Sequence, residues 1–231
     1  MNKTIVVSGG TKGIGRAIIE KFVSEGFDVV TCARNQKDLD ELAHSISQSQ
    51  IHTFRADLSK IADVKKFVEF VNASVERVDV LVNNTGTFIP GEIHTEDEGA
   101  LELMINTNLY SAYHLSRGLI PKMLENKSGD IFNICSVAGL KAYPNGGSYS
   151  ISKFAMHGMS LGLREELKPH GIRVTSVHPG ATLTASWEGV DLPEERFIKS
   201  SDVADAIWSV YQLSKNSVIE ELVIRPQLGD I

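Results

Sequence analysis

The chain has 231 residues, 42% of them hydrophobic and 23% charged, a composition that excludes a disordered or fibrous protein and fits one sizeable α/β core. Its formal net charge of -6 gives no general attraction to nucleic acid or anionic membrane, and no apolar run approaches a membrane span. Cys32 and Cys135 each sit in a strand-like run, which argues against a disulfide framework or metal-ligand cluster, and Met1 to Ser8 lacks the apolar stretch of a secretory signal. A cytoplasmic protein with no metal and no nucleic-acid or membrane partner is therefore expected.

Apolar, β-branched runs recur at Thr4 to Ser8, Asp28 to Cys32, Ile51 to Arg55, Val78 to Val82, Asp130 to Cys135, Arg173 to Val177 and Ile219 to Ile224. Between them, helix-period segments lie at Ile14 to Glu25, Lys37 to Ser47, Ile61 to Ser74, Ala100 to Leu124, Ser150 to Lys168 and Asp202 to Leu213. Strict alternation of the two predicts a single α/β domain, a doubly wound parallel seven-stranded sheet with helices on both faces. The one long irregular stretch, about 180–200, is expected to form a substrate-side loop.

Ser8-Gly9-Gly10-Thr11-Lys12-Gly13-Ile14-Gly15 joins the first strand to the first helix. Missing β-carbons allow a tight turn and let a pyrophosphate approach main-chain NH groups at a helix N-terminus. After the second strand comes Thr31-Cys32-Ala33-Arg34-Asn35, in which Arg34 offers a planar cation for phosphate and Lys12 a second one. Ala56-Asp57-Leu58 closes the third strand; Asp57 could serve as a helix cap, although Ser59 is the better placed for that. Asn83-Asn84-Thr85-Gly86 closes the fourth.

Farther on, Asn108 lies inside a helical segment, with Asn106 as its rival, and Ser136 follows the fifth strand. Tyr149 and Lys153 are one helical turn apart and share a face, and a nearby ammonium would lower the phenol from its ordinary value near 10. Each alone reads as a loop hydroxyl, an interfacial ring, a surface charge or a helix irregularity; all in order after the glycine turn read as a reaction centre.

The G-x-x-x-G-x-G spacing and the Ser136, Tyr149, Lys153 set resemble the short-chain dehydrogenase/reductase family over essentially the whole chain. The resemblance implies a Rossmann fold that binds NADP(H). Gly9, Thr11, Lys12, Gly13, Ile14 and Gly15 would line the adenosine and pyrophosphate site, with Ser8 and Gly10 replacing the commoner Thr and Ala. The family's NAD-preferring members usually carry an acid where Ala33 stands, so Arg34 with Lys12 implies NADP(H). Asp57 and Leu58 would meet the adenine, and Asn84 and Gly86 the cofactor ribose. The catalytic set would be Asn108, Ser136, Tyr149 and Lys153, with Tyr149 and Lys153 also touching the cofactor. Asn108 would act through a helix carbonyl that holds a water linked to Lys153. Pro179, Gly180, Thr182 and Thr184 would flank the nicotinamide and its carboxamide. His178 reads as structural, with no acid obviously paired to it.

The implied reaction is reduction of a carbonyl to an alcohol. The Thr184-x-x-Trp187-x-x-Val190-Asp191 run and the tail from Val218 to Ile231 resemble bacterial sepiapterin reductases, with Trp187 as an aromatic wall and Asp230 a candidate for an amino-pyrimidine edge. Lid anchoring by Trp187 and a frayed tail at Asp230 are the plainer readings. A 3-oxoacyl-carrier-protein reductase is the alternative, disfavoured by the acidic Glu188 to Glu195 loop, and a non-catalytic NADPH-binding sensor is the reading from another class. The resemblance also implies a homodimer or homotetramer, with Leu109, Tyr113, Phe154, Met156 and Leu161 available on the helices that would meet.

Overall fold

The computed structural model describes residues 2–184, 187, 189 and 191–231. Seven parallel strands form one sheet in the order β3-β2-β1-β4-β5-β6-β7. They are β1 (Thr4–Ser8), β2 (Asp28–Ala33), β3 (Ile51–Arg55), β4 (Val80–Asn83), β5 (Gly129–Ile134), β6 (Ile172–Pro179) and β7 (Glu221–Ile224). Strand order reverses between β1 and β4, which opens a crevice at their carboxyl ends, the place where doubly wound sheets take ligands.

The helices are α1 (Gly13–Ser24), α2 (Gln36–Ser45), α3 (Ile61–Ser74), α4 (Ala100–Met104), α5 (Ser111–Glu125), α6 (Gly147–Leu167) and α7 (Ser200–Tyr211). Alternate residues of each buried strand supply two cores. On one face Ile5, Val7, Val29, Val80, Val82 and Val177 pack with Phe22 of α1 and Ile207 of α7. On the other, Val6, Val30, Leu81, Ile131 and Val174 pack with Phe67 of α3 and Leu115 and Leu119 of α5. Each such side chain contributes about 1.5–3 kcal/mol on burial.

Boundaries depart from the periodicity in a few places. The continuous helix expected over Ala100 to Leu124 is broken by a π-helical segment at Ile105–Tyr110 that carries Asn108. Helix α6 begins at Gly147, so Tyr149 is already inside it. Ser59 is not the cap of α3: its NH and hydroxyl both turn back to the Asp57 carboxylate, and Lys60 occupies the cap position. Of the residues expected on an oligomer surface, Met156 is fully buried in the core, whereas Tyr113, Phe154 and Leu161 are exposed.

Buried polar side chains fix the sheet interior. Asn83 Nδ2 donates to Ser116 Oγ at 2.9 Å and to Asn133 Oδ1 at 2.7 Å, and Asn133 Nδ2 donates to Ser160 Oγ at 2.7 Å. This ladder ties β4 and β5 to α5 and α6 directly below the crevice. Arg173 pairs with Asp130 at 2.5 Å and donates to the carbonyls of Tyr211 and Leu213 at the end of α7.

Candidate active site

The glycine turn closes over the end of β1. Gly9 and Gly13 adopt φ of 70° and 53°, a region that side chains other than glycine resist. Gly15 has no room for a β-carbon against the Gly9 carbonyl and the Asn84 amide. Ser8 Oγ accepts from the NH groups of Asn84 and Thr85 at 2.9 and 3.0 Å, and Asn84 Nδ2 donates to the Ser8 and Gly9 carbonyls at 3.0 Å each. Asn84 thus braces the turn from the β4 side. Lys12 holds the cap position of α1 and makes no side-chain cap hydrogen bond, so no side chain at the cap covers the first turn of α1.

Arg34 lies on a cleft of about 370 Å³ that Arg55, Asp57, Lys60 and Asp63 also line. Lys12 is held by Asp38 of α2 at 3.0 Å, an acid that no reading of the turn alone had paired with it. Asp57 accepts from Ser59 and stands 3.4 Å from Lys60; these partners hold its carboxyl below the ordinary value even though burial works the other way. Leu58 beside it is buried. Arg55 and Lys60 were missed as cations of this cleft because each is separated in sequence from the glycine turn, and only the β2–β3 pairing brings them beside Arg34.

At the other side of the crevice, the structure brings all four expected reaction-centre residues together. Asn108 is fully buried; its amide donates to the Thr87 carbonyl at 3.0 Å and to Ser152 Oγ at 2.8 Å, and its Oδ1 accepts from the Thr87 NH at 2.7 Å. Lys153 Nζ donates to the Ile134 carbonyl at 2.9 Å and stands 5.7 Å from the centre of the Tyr149 ring. A β-carbon added at Gly86 would lie 3.4 Å from Asn108 Oδ1 and 3.5 Å from Lys153 Nζ, so Gly86 forms the open floor between them. Ser136 Oγ accepts from the Ala138 NH at 3.1 Å and keeps its own proton to donate.

The electrostatics correct one expectation. Burial pushes the Tyr149 phenol up, only partly opposed by its hydrogen bond with Ser136, and burial brings Lys153 down to about 8. Desolvation dominates here because both groups leave water while the Lys153 ammonium spends its contact on Ile134 rather than on the phenol.

The segment after β6 folds back on the glycine turn. Thr184 Cγ2 would lie 3.0 Å from a β-carbon at Gly13. Thr182 Oγ1 donates to the Gly180 carbonyl at 3.0 Å, and Thr182 bridges to Ile198. Pro179 is buried at the end of β6. Trp187 packs edge-on against Phe197 with ring centres 5.2 Å apart. Of the Thr184 to Asp191 run, Ala185, Ser186, Glu188 and Val190 lie outside the described residues. Asp230 is not frayed away: it pairs with Arg225, and its Oδ1 lies 3.3 Å from where a β-carbon at Gly180 would be. Sequence reasoning missed Phe88, whose ring meets that of Tyr149 edge-on at 4.9 Å, and Tyr143, whose phenol burial pushes up to about 12 with Tyr149 as a neighbour. Two hydrophobic rings in irregular chain leave no periodic signal.

An α/β sheet with a glycine-lined crevice at its switch point, and a Ser, Tyr, Lys and Asn set opposite the glycines, defines a nucleotide-dependent oxidoreductase. Residues 3–194 match the short chain dehydrogenase model, and the chain belongs to that family. It is 31% identical over 228 residues, 97% of both chains, to an uncharacterized oxidoreductase of Staphylococcus saprophyticus. Among solved structures it resembles an alcohol dehydrogenase from Thermococcus sibiricus in complex with 5-hydroxy-NADP, with a TM-score of 0.92, 25% identity and coverage of 98% and 97%. It also resembles L-sorbose reductase from Gluconobacter frateurii in complex with NADPH and L-sorbose, with a TM-score of 0.90, 26% identity and coverage of 97% and 95%.

Proposed function

We propose that this enzyme reduces the carbonyl of a small ketone to an alcohol with NADPH, and that Tyr149 gives the proton. The convergence of Ser136, Tyr149 and Lys153 around the open floor at Gly86 carries this reading. The residues fit the dinucleotide. The glycine turn (Gly9, Thr11, Gly13, Ile14, Gly15) leaves space and NH groups for a pyrophosphate, and the cleft at Arg34 offers three cations for a 2'-phosphate. Asp57 and Leu58 would hold the adenine, Asn84, Gly86, Tyr149 and Lys153 the ribose side, and Pro179, Gly180, Thr182 and Thr184 the carboxamide. Lys12 takes part while shared with Asp38.

Bound NADPH supplies the hydride that adds to the carbonyl carbon. As negative charge develops on the carbonyl oxygen, Ser136 Oγ donates a hydrogen bond to it and Tyr149 Oη gives it a proton. The Lys153 ammonium, 5.7 Å from the Tyr149 ring centre, offsets the charge left on the phenol until solvent returns its proton, and Asn108 keeps the 86–88 segment and Ser152 in register behind it. The raised phenol favours the protonated form in the resting site, as a donor in the reducing direction needs.

Phe88 and Tyr143 are neighbours of Tyr149, and a flat unsaturated ketone suits such rings better than a polyol does. A pterin side-chain ketone is therefore the first substrate to offer. Trp187, packed on Phe197, would anchor the 180–200 substrate loop and form an aromatic wall for that substrate. Asp230 beside Gly180 would meet the substrate from the tail. Exposed Tyr113, Phe154 and Leu161 on α5 and α6 support a homo-oligomer.

The test is NADPH consumption by the purified protein with sepiapterin, L-sorbose and a 3-oxoacyl thioester, beside Tyr149→Phe. Turnover of a ketone with kcat lowered about 10²- to 10⁴-fold in the variant is expected. Turnover that survives Tyr149→Phe would overturn the proton-donor assignment. NADPH binding without turnover of any carbonyl would make the chain a nucleotide sensor.

A further inference from the structure

A second cluster of chemistry-bearing side chains lies behind the Ser136 loop, at the outer edge of the sheet. One ring nitrogen from His157, one from His178 and a carboxylate oxygen of Glu221 all lie within 4.8 Å of one another. Their positions follow from strand parity. His178 and Ser176 lie on the same face of β6 as Val174, the face that α6 covers, and β7 pairs with Ser176 opposite Glu221. Leu222 and Ile224 point into the opposite core, so Glu221 and Val223 face the α6 side, where His157 stands. Three distant stretches of sequence therefore meet at one point, and the spacing 157, 178, 221 carries no compact ligand motif. That is why no metal was expected from the sequence.

The arrangement has the form of a ligand set. His178 is 0% exposed, and its Nδ1 is 3.0 Å from the Ser136 carbonyl, which can only accept, so Nδ1 carries the hydrogen. Its Nε2 is then a bare lone pair, buried and without a hydrogen-bond partner among the described residues. An orphaned buried acceptor costs about 1–3 kcal/mol unless something occupies it. His157 Nδ1 lies 3.3 Å from Ser176 Oγ, and its Nε2 lies 3.7 Å from Glu221 Oε1. Each imidazole thus has an outer nitrogen fixed by an oxygen and an inner nitrogen turned to the cluster, the second-sphere pattern of metal-bound histidines.

We propose that His157, His178 and Glu221 bind a zinc-like divalent transition metal ion, at a site separate from the reaction centre. Two imidazoles and one carboxylate are a donor set that suits zinc, with solvent at the partly exposed Glu221 side completing four-coordination. Ligand atoms about 2.0–2.2 Å from a tetrahedral ion stand roughly 3.5 Å apart, and the exposed Glu221 side chain can close the remaining gap. The Lys153 charge that His178 senses opposes a cation at the site, and the Glu221 carboxylate, which His178 senses with the opposite sign, works against it. Because His178 holds the Ser136 carbonyl, the ion would clamp the loop that carries the Ser136 hydroxyl.

The test uses the full chain stripped with EDTA, titrated calorimetrically with zinc chloride and, by visible absorption, with cobalt chloride. Expected are one equivalent of zinc, cobalt bands typical of low coordination, and an upward thermal shift with zinc. His157→Ala and Glu221→Gln should each weaken zinc binding by at least about 10-fold, the lower end of what losing even an outer-sphere partner costs. His94→Ala, at an exposed histidine outside the cluster, should not. No stoichiometric zinc binding to the parent chain, or binding undiminished in Glu221→Gln, overturns the site. Glu221 is exposed, so that variant folds and decides the matter even if His157→Ala does not fold.

Discussion

Gly10→Ala would restore the residue commoner in the family at this position, and the structure predicts that it destabilises this chain. Gly10 does not have positive φ, so alanine is allowed by the backbone and would gain about 0.4–1 kcal/mol by restricting the unfolded chain. The added β-carbon, however, would stand closer than 3.0 Å to both Ile19 Cδ1 and Thr31 Oγ1. Both neighbours are 0% exposed, and Thr31 Oγ1 is pinned by its 2.7 Å hydrogen bond to the Val7 carbonyl. Turning Ile19 off its rotamer costs about 0.5–1.5 kcal/mol, and breaking the buried Thr31 bond about 1–3 kcal/mol. The net expectation is a loss of order 1–3 kcal/mol, read as a lower urea midpoint at unchanged slope. In an Ile19→Val, Thr31→Ala background the two closest obstacles are gone and only the β-carbon of residue 31, at 3.2 Å, remains tight, so the same alanine should cost much less or become neutral. An unchanged midpoint for Gly10→Ala alone, or an equal cost in both backgrounds, would refute the steric argument.

Three further outcomes follow from the same geometry. Arg34→Ala should raise KM for NADPH about 10- to 100-fold while leaving NADH nearly unaffected, since charge-assisted bonds contribute about 1.5–3 kcal/mol and each 1.4 kcal/mol is tenfold; equal losses for both nucleotides would remove the 2'-phosphate role. Lys153 has its folded-state value lowered to about 8 from 10.5, so the unfolded chain binds more protons between those values and stability rises with pH across that window. The penalty is present in full below about pH 8, and Lys153→Met should therefore be more stable than the parent at pH 7, with a flatter rise up to pH 10.5, in urea titrations at each pH. Arg173→Met should cost about 3 kcal/mol by urea unfolding, because it leaves Asp130 buried with Lys215 alone and strips the carbonyls at the end of α7; a loss under about 1 kcal/mol would show the pair to be expendable.

The sheet was legible because its inner strands are buried on both faces and read as apolar runs, and because helix-period segments separate the strands. Thr4–Ser8 and Ile51–Arg55 match to the residue. A helix irregularity at Asn108 was among the readings, but the extent of the break at Ile105–Tyr110 was not legible. Apolar periodicity runs through it, and what opens the helix is the Asn108 amide bonding to Thr87, a contact between segments that no local pattern encodes. Ser59 failed as a cap for a related reason: Asp57 sits close enough to take both of its donors first.

At the site, the juxtaposition of the expected residues was legible and their energetics were not. Tyr149 and Lys153 could be placed on one helical face from spacing alone, but the sign of the shift on Tyr149 depends on how much water the fold removes, and Phe88, Tyr143 and the Ile134 carbonyl decide that. An amine held near 8 is costly to the fold at neutral pH, whereas the raised phenol is protonated there in either state, and the buried Asn83–Asn133 ladder beneath them is a source of rigidity that can hold the amine in place. The chemistry therefore sits where the sheet is most constrained, at the ends of β4 and β5. The residues proposed to meet the substrate from the loop and the tail, Trp187 and Asp230, come from the chain's last third, where irregular chain gives sequence reading no periodic signal.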